Sequence, residues 1–181
     1  MKYALVTGCA GFIASHLVQR LLLDNWNVLG LDNFHPYYDK ELKLKNLANF
    51  KDHKNFKFVE GSILDLDLLK TFSNVDTVFH LAAIAGVRNS FNNPQEYFDI
   101  NVKGTENILK TFQNIDELVF ASSSSVYGEL KQNEFPVKET HSLNPISPYG
   151  ESKKQSELLC EHYSKSSKIR TSILRFYTVY G

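Results

Sequence analysis

The sequence predicts an α/β domain: a doubly wound parallel sheet of six strands in the order 3-2-1-4-5-6, with helices on both faces. Three observations predict it. Short apolar runs alternate with longer helical patterns along the 181 residues, as βαβ units require. The first run ends in a glycine turn that opens a helix, Gly8-x-x-Gly11-x-x-Ala14. Right-handed crossovers between parallel strands then fix the doubly wound order.

Taken in order, strands are expected at 2–7, 27–32, 56–60, 76–80, 116–122 and 169–175, and helices near 12–24, 40–50, 65–73, 94–113 and 148–166. The first strand runs straight into the glycine turn, so it is no signal peptide. Ser147 as cap and Pro148 in the first helical position fix where the last helix begins. The Ser164–Ser167 stretch reads as that helix's end, not as a linker. Two long irregular stretches remain, 33–39 and 128–146. Both follow strand C-terminal ends, where open α/β sheets bind ligands, and loops of that length tend to be functional.

Composition narrows the function. At 43% apolar the chain can bury a core as one domain. Lys plus Arg (20) equals Asp plus Glu (20), so no overall field draws it to nucleic acid or membrane. Two cysteines, Cys9 and Cys160, make no disulfide framework, and a reduced cytoplasm fits. Six scattered histidines show no ligand spacing, so no metal is expected.

The glycine turn suits a pyrophosphate. Glycines allow a tight turn and close backbone approach, and the helix N-terminus favours the negative charge. Ala14 suffices at the third position, where only a small residue is needed. Glycine turns after strands are common, but Asp32 adds to this one. It ends the second strand, about 20 residues on, where a carboxylate bonds the adenosine ribose. That carboxylate would repel a 2′-phosphate, and no arginine stands beside it. NAD is therefore expected over NADP, in a Rossmann-type domain. The bland reading of Asp32-Asn33 is a turn starter.

Tyr149 and Lys153 lie four apart and share a helix face. A phenolate near pH 7 needs roughly 4 kcal/mol of differential stabilisation. A lysine charge ~5 Å away at an effective dielectric of ~20 supplies about 3 kcal/mol. A nicotinium ring nearby supplies the rest, so the pair can make a general base, with a hydroxyl from the serine run Ser122–Ser125 to relay or hold the substrate proton. Alone, such a spacing describes an exposed pair on an amphipathic helix. The glycine turn, Asp32 and the serine run in the right order argue otherwise.

These residues resemble the extended short-chain dehydrogenase/reductase family, in its nucleotide-sugar epimerase/dehydratase branch. Further landmarks are Leu31-Asp32-Asn33, His80-Leu81-Ala82-Ala83, Asn101-Val102-Lys103-Gly104-Thr105, Ser122 to Gly128 and Leu174-Arg175-Phe176. The resemblance implies Ser123, Tyr149 and Lys153 as catalytic residues. It implies a cofactor site drawn from Gly8, Gly11, Phe12, Ile13, Asp32, Asn33, Ser62, Ile63, Leu81, Ala82, Ala83, Asn101, Ser122, Tyr149, Lys153 and Phe176. Ser62 stands where the family usually has an adenine-binding aspartate.

Dehydratases of the branch carry an Asp-Glu pair after the catalytic hydroxyl, and decarboxylases a glutamate. This chain has Ser124-Ser125, which leaves epimerisation at C4 of a nucleotide sugar. The stretches 33–39 followed by Leu42-Lys43, 85–88 and 178–181 resemble UDP-glucuronate 4-epimerases, with Arg88, Ser124, Ser125 and Thr178 as candidate substrate contacts. For Arg88 an exposed loop arginine is the equal alternative. A UDP-glucose or UDP-N-acetylglucosamine 4-epimerase and a non-catalytic NAD-binding module are the other readings.

The resemblance also implies that the C-terminal substrate lobe lies beyond Gly181. The expectation is therefore a nucleotide-binding domain with an open cleft, inactive or nearly so by itself. It implies a homodimer through the 94–113 and 148–166 helices. For Ile108, Leu109, Phe112, Leu158 and Leu159, interface and core both remain open. Phe34, Tyr37 and Tyr38 are either a loop packing on itself or a lid over adenosine. His16 is expected to pack its helix and His80 to orient a turn. Cys9 is read as a small residue in the phosphate turn.

Overall fold

The computed structural model describes residues 2–72, 74–167 and 169–181. Six parallel strands form one sheet in the order β3-β2-β1-β4-β5-β6. They are β1 (Tyr3–Thr7), β2 (Asn27–Asp32), β3 (Phe56–Glu60), β4 (Thr77–His80), β5 (Glu117–Ser123) and β6 (Arg170–Phe176). The central strand β1 pairs Leu5 with Leu29 on one side and with Val78 on the other. Fold class and strand order are those the sequence predicts.

The pleat of β1 divides the core between the two faces of the sheet, because successive side chains point opposite ways. Ala4 and Val6 join Ala14, Val18, Val28, Phe50 and Phe56 on one face. Leu5 joins Leu31, Leu69, Val78, Ile108, Leu118 and Phe120 on the other. Each fully buried Leu, Val or Phe contributes about 1.5–3 kcal/mol.

The helices are α1 (Phe12–Leu23), α2 (Lys40–Ala48), α3 (Leu66–Lys70), α4 (Val87–Ser90), α5 (Pro94–Tyr97), α6 (Gly104–Thr111) and α7 (Pro148–Ser166). Helix α7 begins where expected: the Ser147 hydroxyl accepts the Gly150 N–H at 3.0 Å. Helix α3 is shorter than the expected 65–73, and Ser73 lies outside the described residues.

The long helix expected over 94–113 is corrected. It is three pieces: α5, a π-turn over Phe98–Lys103, and α6. Widened turns of this kind are frequent at functional sites. Here the Asn101 carbonyl accepts the hydroxyls of Thr105 at 2.6 Å and Ser156 at 2.9 Å. Ile108, Leu109 and Phe112 are buried in the second core cluster, with Leu159 packed against it. Core is therefore their role, while Leu158 is exposed.

Candidate active site

The site is a cleft of about 630 Å³ along the C-terminal ends of the strands. Its floor is the turn between β1 and α1. Gly8 has φ +72, and a Cβ there would lie 2.9 Å from the backbone N and Cα of Ala82. Only glycine fits this left-handed, crowded position. Gly11 precedes α1 and offers no side chain to cap it. The first N–H groups of the helix are thus left for an anion, and Phe12 and Ile13 line the cleft there. These features fit a dinucleotide pyrophosphate.

At the β2 end, Asp32 is 5% exposed, and its carboxylate is already well occupied. Oδ1 accepts the Phe34 N–H at 2.8 Å and the Lys43 ammonium at 3.1 Å, and Oδ2 accepts the Ala10 N–H at 3.2 Å. Sequence reasoning gives Lys43 only within a motif likeness and misses this contact; the residue comes from α2, eleven residues on, and also lines the cleft. Asn46, one turn further, donates to the Ala10 carbonyl at 3.0 Å and docks α2 on the phosphate turn. Asn33, Ser62, Ile63 and Leu81 to Ala83 line the cleft. The Ser62 hydroxyl accepts the Leu64 N–H at 3.1 Å and so shapes its own loop.

The loop after β4 is held by a buried chain of hydrogen bonds centred on His80. Leu81 and Ala82 donate their N–H groups to the Thr7 hydroxyl, which lies 2.8 Å from His80 Nδ1. His80 Nε2 lies 3.0 Å from the Thr105 hydroxyl, itself donated to the Asn101 carbonyl. The chain is consistent only if Nε2 carries the proton and Nδ1 accepts. Burial first, then Lys153, pushes the imidazole down to about 3. His80 therefore orients the turn, as expected.

Asn101 does not line the cleft. It is buried, and its amide makes two bonds to the Ile84 backbone at 2.9 and 3.0 Å and one to the Ser152 hydroxyl at 3.0 Å. It places the cofactor loop against α7 instead of lining the cleft.

At the opposite rim lie Ser123, Tyr149 and Lys153, all lining the cleft. Ser123 ends β5 and its hydroxyl donates to that of Ser125 at 3.1 Å while accepting the Ser125 N–H. Tyr149 and Lys153 come from successive turns of α7. The Lys153 ammonium donates to the Ala121 carbonyl at 2.8 Å and lies 5.0 Å from the Phe120 ring centroid. Burial lowers the lysine to about 8. Burial raises the Tyr149 phenol, against the neighbouring Ser123 hydroxyl, which lowers it.

Lys153 faces a carbonyl, and desolvation is the largest influence on the Tyr149 phenol, raising it. The expected phenolate rests on lysine and nicotinium charge together.

Ser122 also lines the cleft, but its hydroxyl is committed to the buried Glu157. Glu157 receives Arg175 through Nε at 3.0 Å and Nη2 at 2.8 Å. Arg175 reaches on to the Tyr127 hydroxyl and the Glu139 carbonyl. This pair ties β5, β6, α7 and the 128–146 loop together beside Ser123, Tyr149 and Lys153.

Phe176 lines the cleft; Arg88, Ser124, Ser125 and Thr178 do not. Arg88 lies in the short helix α4, exposed, in place of the expected loop. Thr178 is exposed, and Ser124 and Ser125 are half-buried in the turn that follows Ser123. Among the described residues, no group of three His, Cys, Asp or Glu side chains is placed to hold a metal. Likewise, no helix there is long and apolar enough to cross a membrane.

A Rossmann-type sheet with a glycine turn, a buried carboxylate and a Ser-Tyr-Lys rim along one cleft is the architecture of the short-chain dehydrogenase/reductase class. The chain belongs to the NAD dependent epimerase/dehydratase family, which it matches over residues 4–181.

Among curated relatives, an uncharacterized UDP-glucose epimerase, YtcB, of Bacillus subtilis is 47% identical over 98% of this chain and 56% of its own length. A UDP-glucuronate 4-epimerase of Thermodesulfobacterium geofontis is 40% identical over 100% of this chain and 57% of its own. The chain thus spans a little over half the length of the relatives it matches.

Among solved structures, the UDP-glucuronic acid 4-epimerase of Bacillus cereus, in complex with UDP-glucuronic acid and NAD, superposes with a TM-score of 0.93 at 40% identity. It covers 99% of this chain and 57% of its own. The UDP-glucose 4-epimerase of Thermotoga maritima, with UDP-glucose, gives 0.87 at 33% identity, over 99% of this chain and 56% of its own.

Proposed function

We propose that this chain is the cofactor-binding and catalytic part of an NAD-dependent 4-epimerase that interconverts UDP-glucuronate and UDP-galacturonate. The observation that carries this reading is the placing of Ser123, Tyr149 and Lys153 on one rim of a cleft whose other end holds the phosphate turn and Asp32. Gly8, Gly11, Phe12 and Ile13 would hold the pyrophosphate, and Asp32 the adenosine ribose. NAD, when bound, supplies the reversible oxidation at C4 of the sugar.

The chain's own residues manage the proton. Ser123 holds the C4 hydroxyl toward Tyr149. Tyr149 accepts the hydroxyl proton during oxidation and returns it during reduction. Lys153 contributes its charge next to that phenol; positive charge brought in by the cofactor adds to it and offsets the desolvation that now raises Tyr149. Both faces of C4 must be presented in turn, so Ser123 and Tyr149 serve either epimer. The serines that follow Ser123 offer no acid for elimination, which favours epimerisation over dehydration.

The uronate reading draws on the motif likeness and on the glucuronate epimerases among the relatives. The second reading, a UDP-glucose or UDP-N-acetylglucosamine 4-epimerase, is favoured by the relatives of that kind. A homodimer completes the proposal.

The test has two stages. Calorimetric titration with NAD and NADP comes first, and Asp32→Ala should abolish NAD binding. The complete gene product carrying this sequence is then incubated with UDP-glucuronate, UDP-glucose and UDP-N-acetylglucosamine. Galacturonate formation that disappears in Tyr149→Phe, with NAD still bound, supports the proposal. Turnover of the neutral sugars alone selects the second reading. NAD binding without any turnover leaves a non-catalytic module.

A further inference from the structure

Resting on the cleft as the cofactor site, we propose that Tyr37 is a positioning residue that seats segment 33–39 as a strap across it. His35 and Tyr38 then form the outer wall that encloses the cofactor.

The segment leaves β2 at Asp32 and returns to the same residue. Phe34, whose N–H is held by Asp32, adopts φ +50. A left-handed phenylalanine is uncommon and strained. It persists because the ring is buried against Phe58, with centroids 5.5 Å apart. The next turn is stapled locally: Asn33 Oδ1 accepts the His35 N–H at 3.1 Å, and the Tyr37 N–H donates to His35 Nδ1 at 3.3 Å. Asp39 then caps α2, which brings Lys43 back to Asp32.

Between these anchors the segment reaches residues that follow β4. His35 Nε2 lies 3.3 Å from Glu96 Oε1. The Tyr37 hydroxyl rests directly on Gly86, where any Cβ would collide with it. Asn89 donates to the same hydroxyl at 3.4 Å. The Tyr38 ring meets Tyr37 edge-on, with centroids 4.8 Å apart.

In the sheet, β1 lies between β2 and β4. A segment running from the end of β2 to the loop after β4 must therefore pass over the end of β1, where the phosphate turn begins. His35 and Tyr38 line the cleft from this position. A dinucleotide stretching from Asp32 to Tyr149 lies beneath them.

Tyr37 is absent from the cleft lining, so its effect is on seating and not on contact. Gly86 is fitted to it: φ +98 and the missing Cβ make room for the phenol.

The experiment is stopped-flow binding of NADH, followed by its fluorescence, with displacement by NAD for the dissociation rate. A seated strap retards passage both ways. Tyr37→Ala and Gly86→Ala should each raise the association and dissociation rates together, by about tenfold or more, with far less change in Kd. Tyr37→Phe keeps the ring but loses the hydroxyl that meets Gly86 and Asn89, and should raise both rates together by less than Tyr37→Ala. Circular dichroism checks that each variant is folded.

A rise in the dissociation rate alone would mean lost contacts and overturn the proposal, as would unchanged rates in Tyr37→Ala. Those outcomes leave the cofactor reading standing. Absence of NADH and NAD binding to the wild type overturns that reading, and the strap with it.

Discussion

Lys153 Nζ lies 2.8 Å from the Ala121 carbonyl oxygen and ties α7 to β5 beside the Ser122–Glu157 bond. The ammonium is almost wholly buried, with 4% exposure. That burial sets a cost on the fold which the chemistry makes necessary.

Lys153→Met tests this cost. The folded value of about 8 lies below the ordinary 10.5, so the unfolded chain binds the extra proton between those two values. Stability contributed by this group therefore rises as pH increases from 8 to 10.5, and the full penalty applies below 8. At about 1.4 kcal/mol per unit, less about 1 kcal/mol for the lost hydrogen bond, the variant should gain roughly 2 kcal/mol at pH 7. Urea melts should show that gain and a flatter pH dependence above 8, while turnover is lost.

His80 gives the opposite limb of the pH profile. Its folded value of about 3 lies below the ordinary 6.5. Stability is thus intact above 6.5 and falls as pH drops from 6.5 toward 3, because the unfolded state takes up the proton first. His80→Gln should lose that slope while costing about 1–3 kcal/mol at pH 7, since Thr7 and Thr105 lose a fitted partner. Melts at pH 7 and pH 5 read both effects.

Glu157 and Arg175 should behave as a coupled pair. Each is buried enough that Glu157→Gln or Arg175→Met leaves a charge without its counterion, at a cost of about 3–5 kcal/mol. Replacing both, Glu157→Leu with Arg175→Met, should recover much of the loss. A double-mutant cycle on unfolding free energies measures the coupling; simple additivity would contradict the buried-pair account.

Gly8→Ala addresses the phosphate turn. The added Cβ meets the Ala82 backbone at 2.9 Å in a left-handed conformation, so neither partner has room to yield. A loss of about 2 kcal/mol or more in stability is expected, together with at least tenfold weaker NAD binding by calorimetry.

The sheet was legible because buried parallel strands read as short apolar runs between glycine turns and helical periods. The phosphate turn and the Tyr149/Lys153 pair were legible for a related reason: a local backbone geometry or one helical turn fixes them. What escaped depends on distant parts of the chain. Lys43 reaches Asp32 only once α2 has packed, and no neighbour in sequence announces it. The break at 98–103 turns on hydrogen bonds that skip one residue further, Gly104 N–H to the Asp99 carbonyl, and apolar spacing hardly registers that shift. The direction of the Tyr149 shift escaped for a third reason: it depends on burial, which charge spacing alone does not reveal. Arg88 and Thr178 were read by likeness to a sugar pocket, and this cleft does not include them.

The crowding of Asp32 has a thermodynamic consequence. A carboxylate offers about four acceptor sites, and three donors already occupy this one. A ribose diol brings two more hydroxyls, so one incumbent must leave. Ala10 and Phe34 are backbone donors fixed by the turn and by the left-handed Phe34, while Lys43 hangs on four rotatable bonds. On the proposed cofactor reading, docking at this end would thus be an exchange of partners. The heat released by the new hydrogen bonds is offset by the surrendered ion pair, and the freed lysine regains rotamer entropy of up to about 2 kcal/mol. Affinity at the ribose then draws on disorder returned to the protein as well as on bonds gained by the ligand.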